Sequence, residues 1–183
     1  MEPGDSKQTL APFPWQTDQW DLLLARHRQN RLPHAVMLAG PAGTGKAQFA
    51  MALAKAVLCR EPEASGACGH CKSCVLMASG SHPDFLSVEP EGEGKPIKID
   101  QVRGLVDLVG KRSQFEGLKV VFLAPAETMN INASNALLKS LEEPGADTLL
   151  VLVSHQTAGV LPTIRSRCQA IEFAMPPLSH CLP

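Results

Sequence analysis

Residues 40–47 read Gly40-Pro41-Ala42-Gly43-Thr44-Gly45-Lys46-Ala47, a spacing suited to gripping a phosphate chain. Glycines at 40, 43 and 45 permit a tight turn whose amides converge on phosphate oxygens, and the following helix N-terminus adds its dipole. Lys46 would reach the β and γ phosphates. The bland alternative is a glycine-rich turn between a strand and a helix. The metal half of such a site is missing. The position after the lysine, where a serine or threonine hydroxyl would hold magnesium, is Ala47. The strand expected to end in a second metal-binding acid runs into Ala124-Pro125-Ala126-Glu127. Glu127 falls two or three residues late. Phosphate capture is therefore expected to outlast hydrolysis, which depends on charge stabilisation and positioning.

Cys59, Cys68, Cys71 and Cys74 form a second constellation within sixteen residues. Four soft ligands suit a tetrahedral zinc ion with no open position, hence a structural site. His70 is a weaker rival ligand. An iron–sulfur cluster or unligated thiols are the alternatives. Cys168 is expected to pack in the domain, and Cys181 is too distant to be needed. A third feature is the turn Ser166-Arg167-Cys168, whose arginine is either a functional cation or a surface cap on a short helix.

These groups need elements to position them. The chain has 183 residues, 44% hydrophobic and 19% charged, enough for one domain with a substantial core. Its formal net charge of -1 advertises neither a nucleic-acid nor a membrane-surface binder. Arg26, His27, Arg28, Arg31 and His34 form either a local basic patch or a solvated helix end. No apolar run is long enough to span a membrane, and the polar N-terminus is not a signal peptide.

Short apolar runs at 35–39, 85–88, 119–124, 148–154 and 170–173 predict buried strands. Helical spacing predicts helices over 18–30, 46–58, 132–141 and 160–165. A further helix should follow Asp100, read as its N-cap, through Val102, Leu105, Val106 and Val109. Residues 59–84 show little periodicity, and 89–96 read as a mobile loop. Alternating strands and helices imply an α/β fold, a mainly parallel sheet flanked by helices, with right-handed crossovers.

The chain resembles the delta-prime subunits of the bacterial DNA polymerase III clamp loader, members of the AAA+ superfamily. The resemblance runs from about residue 14 to 177. It rests on Pro14-Trp15-Gln16, Leu32-Pro33-His34-Ala35, the phosphate loop, the four cysteines and Ser81-His82-Pro83-Asp84. It continues through Ile99-Asp100, Val102-Arg103, the stretch Asn135-Ala136-Leu137-Leu138-Lys139-Ser140-Leu141-Glu142-Glu143-Pro144, and Ser166-Arg167-Cys168.

That resemblance implies a P-loop nucleotidase-like (AAA+ RecA-like) domain at 14–175 with an inserted zinc module at 59–74. A lead at 1–13 would precede it. Residues 176–183 would begin a linker to a helical lid and collar that the chain lacks, as in a fragment or shortened product. It implies a subunit that does not hydrolyse ATP, with ATP or ADP bound weakly or not at all. Such a subunit assists ATP-dependent loading of the sliding clamp on primer-template DNA in the bacterial cytoplasm. Tau/gamma and delta subunits would be its neighbours, and Arg167 would act in trans on one of them. Ser154 stands where working relatives place a polar sensor. Two other classes stay open from the residues alone: an independent P-loop ATPase, and a zinc-stabilised nucleic-acid binding module.

Overall fold

The structure, a computed structural model, describes residues 11–115, 117–145 and 147–176. The expected lead and the expected linker fall largely outside them. Five strands form one all-parallel sheet: β1 (Ala35–Ala39), β2 (Phe85–Val88), β3 (Lys119–Leu123), β4 (Thr148–Ser154) and β5 (Gln169–Glu172). Their spatial order is β2-β3-β4-β1-β5. The helices are α1 (Thr17–Arg28), α2 (Lys46–Leu58), α3 (Lys72–Ala78), α4 (Ile99–Gly110), α5 (Ile131–Glu142) and the single turn α6 (Pro162–Arg165).

Every residue of β1, β3 and β4 is buried, which explains why these strands read as unbroken apolar runs. Successive side chains still point to opposite faces. Val36, Leu38, Val120, Phe122, Val151 and Val153 meet Phe49 and Leu53 of α2 and Leu23 of α1. Met37, Val121, Leu123, Leu150 and Leu152 meet Leu105 of α4 and Leu137 of α5. The result is a sheet between two helical layers, with the loop after β1 emerging at the strands' C-terminal edge.

The expected strands stand within a residue or two. Three details differ. The cysteine segment contains a helix, α3, whose pattern was hidden because cysteines occupy apolar positions and Val75 faces solvent at 55% exposure. Lys98, not Asp100, is the N-cap of α4; the Gln101 side chain accepts from the Lys98 N–H at 2.9 Å. Asp100 lies in the first turn and pairs with Arg103 at 2.8 Å, where its charge suits the helix dipole. The last short helix begins at Pro162, which its fixed φ favours at a first turn.

Two buried polar side chains brace the N-terminal edge of the sheet. Lys119, 2% exposed, opens β3 and donates to the carbonyls of Leu108, Val109 and Lys111, the unsatisfied end of α4. Burial lowers its pKa, against the opposing pull of Asp84 and Asp147. Asp84 accepts from Ser113 Oγ at 2.9 Å and from the N–H groups of Gln114 and Phe115. It fixes the turn that leads into β3.

Candidate functional site

The loop after β1 turns tightly into α2. Gly43 and Gly45 have φ of 80° and 79°, a region that favours glycine. A side-chain carbon on Gly40 would lie 2.1 Å from the Phe173 carbonyl oxygen, and one on Gly45 would lie 2.5 Å from the Phe13 ring. Both positions therefore require glycine. The 13–16 segment lies over the loop: Gln16 donates to the Thr44 carbonyl at 2.8 Å, and the Phe13 ring stacks on Trp15.

Lys46, 2% exposed, turns inward and donates to the carbonyls of Gly40 and Pro41 and to Thr44 Oγ1. Burial lowers its pKa, and the nearby Glu127 carboxylate opposes the shift. Gly40, Gly43, Gly45 and Lys46 thus converge on one loop at the head of α2.

Neither metal position is filled by a ligand. Ala47 is exposed on the first turn of α2, and Ala124 follows β3 as a buried methyl. Sequence spacing does not reveal the direction of Glu127. A 3-10 turn at Ala126–Thr128 folds it back toward the end of β4, where Oε1 accepts from the His155 N–H at 2.9 Å. Its Oε2 and the Ser154 hydroxyl are sealed from solvent with no hydrogen-bond partner among the described residues. An acid and a hydroxyl thus stand at the sheet's C-terminal edge, with the acid close enough to influence Lys46.

The four cysteines converge. Their Sγ atoms lie 3.5 Å apart for Cys59–Cys68, 3.6 Å for Cys59–Cys74, and 3.9 Å for both Cys59–Cys71 and Cys68–Cys74. A tetrahedron with metal–sulfur bonds of about 2.3 Å has edges of about 3.8 Å. The set therefore fits a metal ion such as zinc. Backbone N–H groups of Cys68 and Cys71 point at Cys59 Sγ and Cys68 Sγ, the outer contacts a thiolate cluster needs. At Cys71, burial pushes the thiol up, but hydrogen bonds from the Cys74 and Arg60 backbone and from the Cys74 and Cys68 side chains outweigh it and bring the pKa to about 6. His70 stays outside, 69% exposed and 3.7 Å from Glu61.

The module is docked through His82 and Ser73. The Asp84 N–H donates to His82 Nδ1 at 3.1 Å, so Nε2 carries the proton and donates to Ser73 Oγ at 2.8 Å. Ser73 in turn donates to the Leu58 carbonyl at 2.6 Å. This relay ties α3 to the end of α2 and the start of β2. The only sequence signal was Ser81-His82-Pro83-Asp84, which carried no assigned role.

Burial lowers the His82 pKa, with Asp84 opposing. A histidine kept neutral in the fold is protonated more readily once unfolded. Its contribution is therefore full above the unfolded value of about 6.5 and is lost as pH falls from there toward the lower folded value. Melting temperature is expected to drop between pH 7 and 5.5, and His82→Asn to flatten that drop while lowering stability at pH 7 by about 1–3 kcal/mol. Parallel pH profiles for the two proteins would exclude His82 as the source.

Arg167 follows α6 with its side chain 36% exposed. Nη1 donates to the Thr163 carbonyl at 3.0 Å and Nη2 to Glu142 Oε1 at 2.8 Å. Ser166 Oγ donates to the same Thr163 carbonyl at 3.1 Å. Cys168 packs against the α4–α5 core, where burial pushes its thiol to about 12. Glu142 ends α5, whose other end adjoins the 126–128 turn. Twelve residues of helix place Arg167 roughly 18 Å along α5 from the phosphate loop's surroundings, outside its own candidate site.

A family model described as DNA polymerase III, delta subunit, matches residues 15–177. DNA polymerase III subunit delta-prime of Pseudomonas aeruginosa is 54% identical over 156 residues, 85% of this chain and 47% of its own length. The chain belongs to the delta-prime family of DNA polymerase III subunits. The Escherichia coli family member is 34% identical over 170 residues, 93% of this chain and 51% of its own length. This chain thus spans about half the length of the curated family members it matches. Among solved structures, a DNA polymerase III gamma subunit-related protein from Thermotoga maritima is similar with a TM-score of 0.65 and 25% identity, covering 86% of this chain and 47% of that one. The Thermotoga maritima RuvB branch migration motor is similar in fold alone, with a TM-score of 0.52 and 15% identity, covering 92% and 49%. The family member described here therefore has the parallel α/β fold of AAA+ proteins. No helix among its described residues is long and apolar enough to cross a membrane.

Proposed function

We propose that this chain is the nucleotidase-like domain of a clamp-loader subunit that does not hydrolyse ATP and that lends Arg167 to a neighbouring ATPase subunit. The supporting observation is the division of labour across the domain. The phosphate loop keeps its glycines and Lys46 but lacks metal ligands at Ala47, Ala124 and Pro125, while Arg167 stands partly exposed at the far end of α5. On this reading the domain occupies 14–175, with a zinc module at 59–74, and 176–183 leads toward a helical lid and collar.

The chain works in the bacterial cytoplasm as a component of the DNA polymerase III holoenzyme. Tau/gamma and delta subunits are its neighbours, and the complex places the sliding clamp on primer-template DNA. The phosphate loop is a shaped remnant that takes ATP or ADP weakly or not at all. A guanidinium from Arg167, set against the neighbour's γ phosphate, stabilises the charge that develops as the phosphoryl group departs. Cys59, Cys68, Cys71 and Cys74 would hold a zinc ion with all four positions filled. Bound there, the ion supplies rigidity and no reaction chemistry.

The non-hydrolysing part is tested on the chain by itself. Magnesium-dependent ATP turnover is expected to stay at the level of a protein-free control, with or without Lys46→Ala. A turnover that Lys46→Ala abolishes would overturn it and favour an independent ATPase.

A further inference from the structure

To serve as an arginine finger, a cation reaching into the neighbour's nucleotide site, Arg167 must be aimed. An arginine just past a single helical turn has many rotamers, and a catalytic cation off by an ångström loses much of its effect. Here the guanidinium is held from two sides: Thr163 O takes Nη1, and Glu142 takes Nη2. The two supports differ in kind. Thr163 belongs to the same short turn as Arg167 and moves with it. Glu142 belongs to a different element, 25 residues away in sequence, and ends a helix whose Leu137 and Leu141 are buried in the core.

The backbone just beyond Glu142 is also fixed. A side-chain carbon on Gly145 would lie 2.3 Å from the Val109 carbonyl oxygen, so this segment is pressed against the end of α4. Glu142 is thus a carboxylate on a rigid mount. A guanidinium carries five N–H donors in a fixed fork, and these two contacts use two of them. Three remain, on a side chain 36% exposed.

We infer that Glu142 is a positioning residue for Arg167, holding the guanidinium in a fixed direction from the end of α5 so that its remaining donors meet the neighbour's phosphate with little loss of freedom. The inference rests on the proposed trans role of Arg167. Because the pair is exposed, it adds little to stability, and its removal leaves the fold intact. The effect belongs to the rate of the neighbour's reaction, not to this chain's folding.

The experiment uses a reconstituted clamp loader in which the complete subunit carries Glu142→Ala, Glu142→Gln or Arg167→Ala, alone and combined. Glu142→Ala is expected to lower kcat for clamp- and DNA-stimulated ATP hydrolysis by about tenfold with KM for ATP nearly unchanged, the signature of a misaimed catalytic group. Glu142→Gln keeps an acceptor oxygen in place and is expected to retain most of the rate. In the Arg167→Ala background, Glu142→Ala is expected to cost nothing more, because there is no longer a side chain to aim. Melting temperature and assembly stay as in the parent.

If Arg167→Ala is slow but Glu142→Ala runs at the parent rate, the positioning role is overturned and the finger stands. A faster Glu142→Ala enzyme also overturns it, showing a carboxylate that competes with phosphate for the arginine. If Arg167→Ala itself runs at the parent rate, finger and positioning role fall together.

Discussion

Arg167→Ala is expected to lower ATP hydrolysis at the adjacent subunit's site by about a thousandfold, the low end of what a supplied arginine contributes to phosphoryl transfer. The expectation follows from what the site next door lacks without it. Charge spreads over the transferred phosphoryl oxygens, and a preorganised cation there acts in a partly dehydrated interface where its field is poorly screened. Single-turnover hydrolysis in a reconstituted assembly reads the chemical step apart from product release.

Arg167→Lys is expected to recover little, because a point charge does not reproduce the planar fork of donors. Subunit assembly, checked by gel filtration, should be unchanged in both variants. Parent-like hydrolysis by Arg167→Ala would remove the trans role.

The second large effect concerns the cysteines. Metal analysis is expected to give one zinc per chain, and Cys74→Ser to abolish it. Four converging thiols without a metal leave a cluster of mutually close, partly buried sulfur atoms with opposed proton affinities: burial raises Cys59 and Cys74, while hydrogen bonds bring Cys71 down to about 6. Structural zinc supplies folding free energy directly. Removing it from a domain of this size is expected to cost several kcal/mol, roughly 10 °C in melting temperature.

The loss should remain local. Cys59, Cys71 and Cys74 form a small cluster of their own, separate from the two cores that sandwich the sheet. Hydrogen exchange is therefore expected to rise through 59–80 while β1, β3 and β4 stay protected. Iron in the purified protein, or no metal with an unchanged melting temperature, would exclude the zinc assignment.

Much of this molecule is readable from its residues, for reasons that differ by feature. β1, β3 and β4 are legible because burial on both faces leaves continuous apolar runs. The phosphate loop is legible because its conformation demands glycine at fixed offsets. The cysteine set is legible by count and spacing, although α3, which starts just after Cys71 and carries Cys74, is not. A ligand cysteine takes an apolar position without looking like one.

What remained hidden is tertiary. Glu127 looks two residues late for a metal site, and only the 126–128 turn reveals that it faces back to the His155 N–H. His82 and Ser73 are nine residues apart, with nothing local to pair them. The N-cap at Lys98 is not legible locally because its partner is the Gln101 side chain, while Asp100 offers the more familiar cap chemistry two residues on.

The contact between Gly40 and Phe173 has a consequence for motion. The Phe173 N–H donates to the Ala39 carbonyl at 2.7 Å, and its own carbonyl rests where a side chain on Gly40 would have to go. The chain leaving β5 is therefore threaded past the first residue of the phosphate loop with no slack between them. Phe173 cannot move toward the loop without displacing Gly40. The form of the loop therefore answers to the packing at the end of β5 as well as to anything it grips.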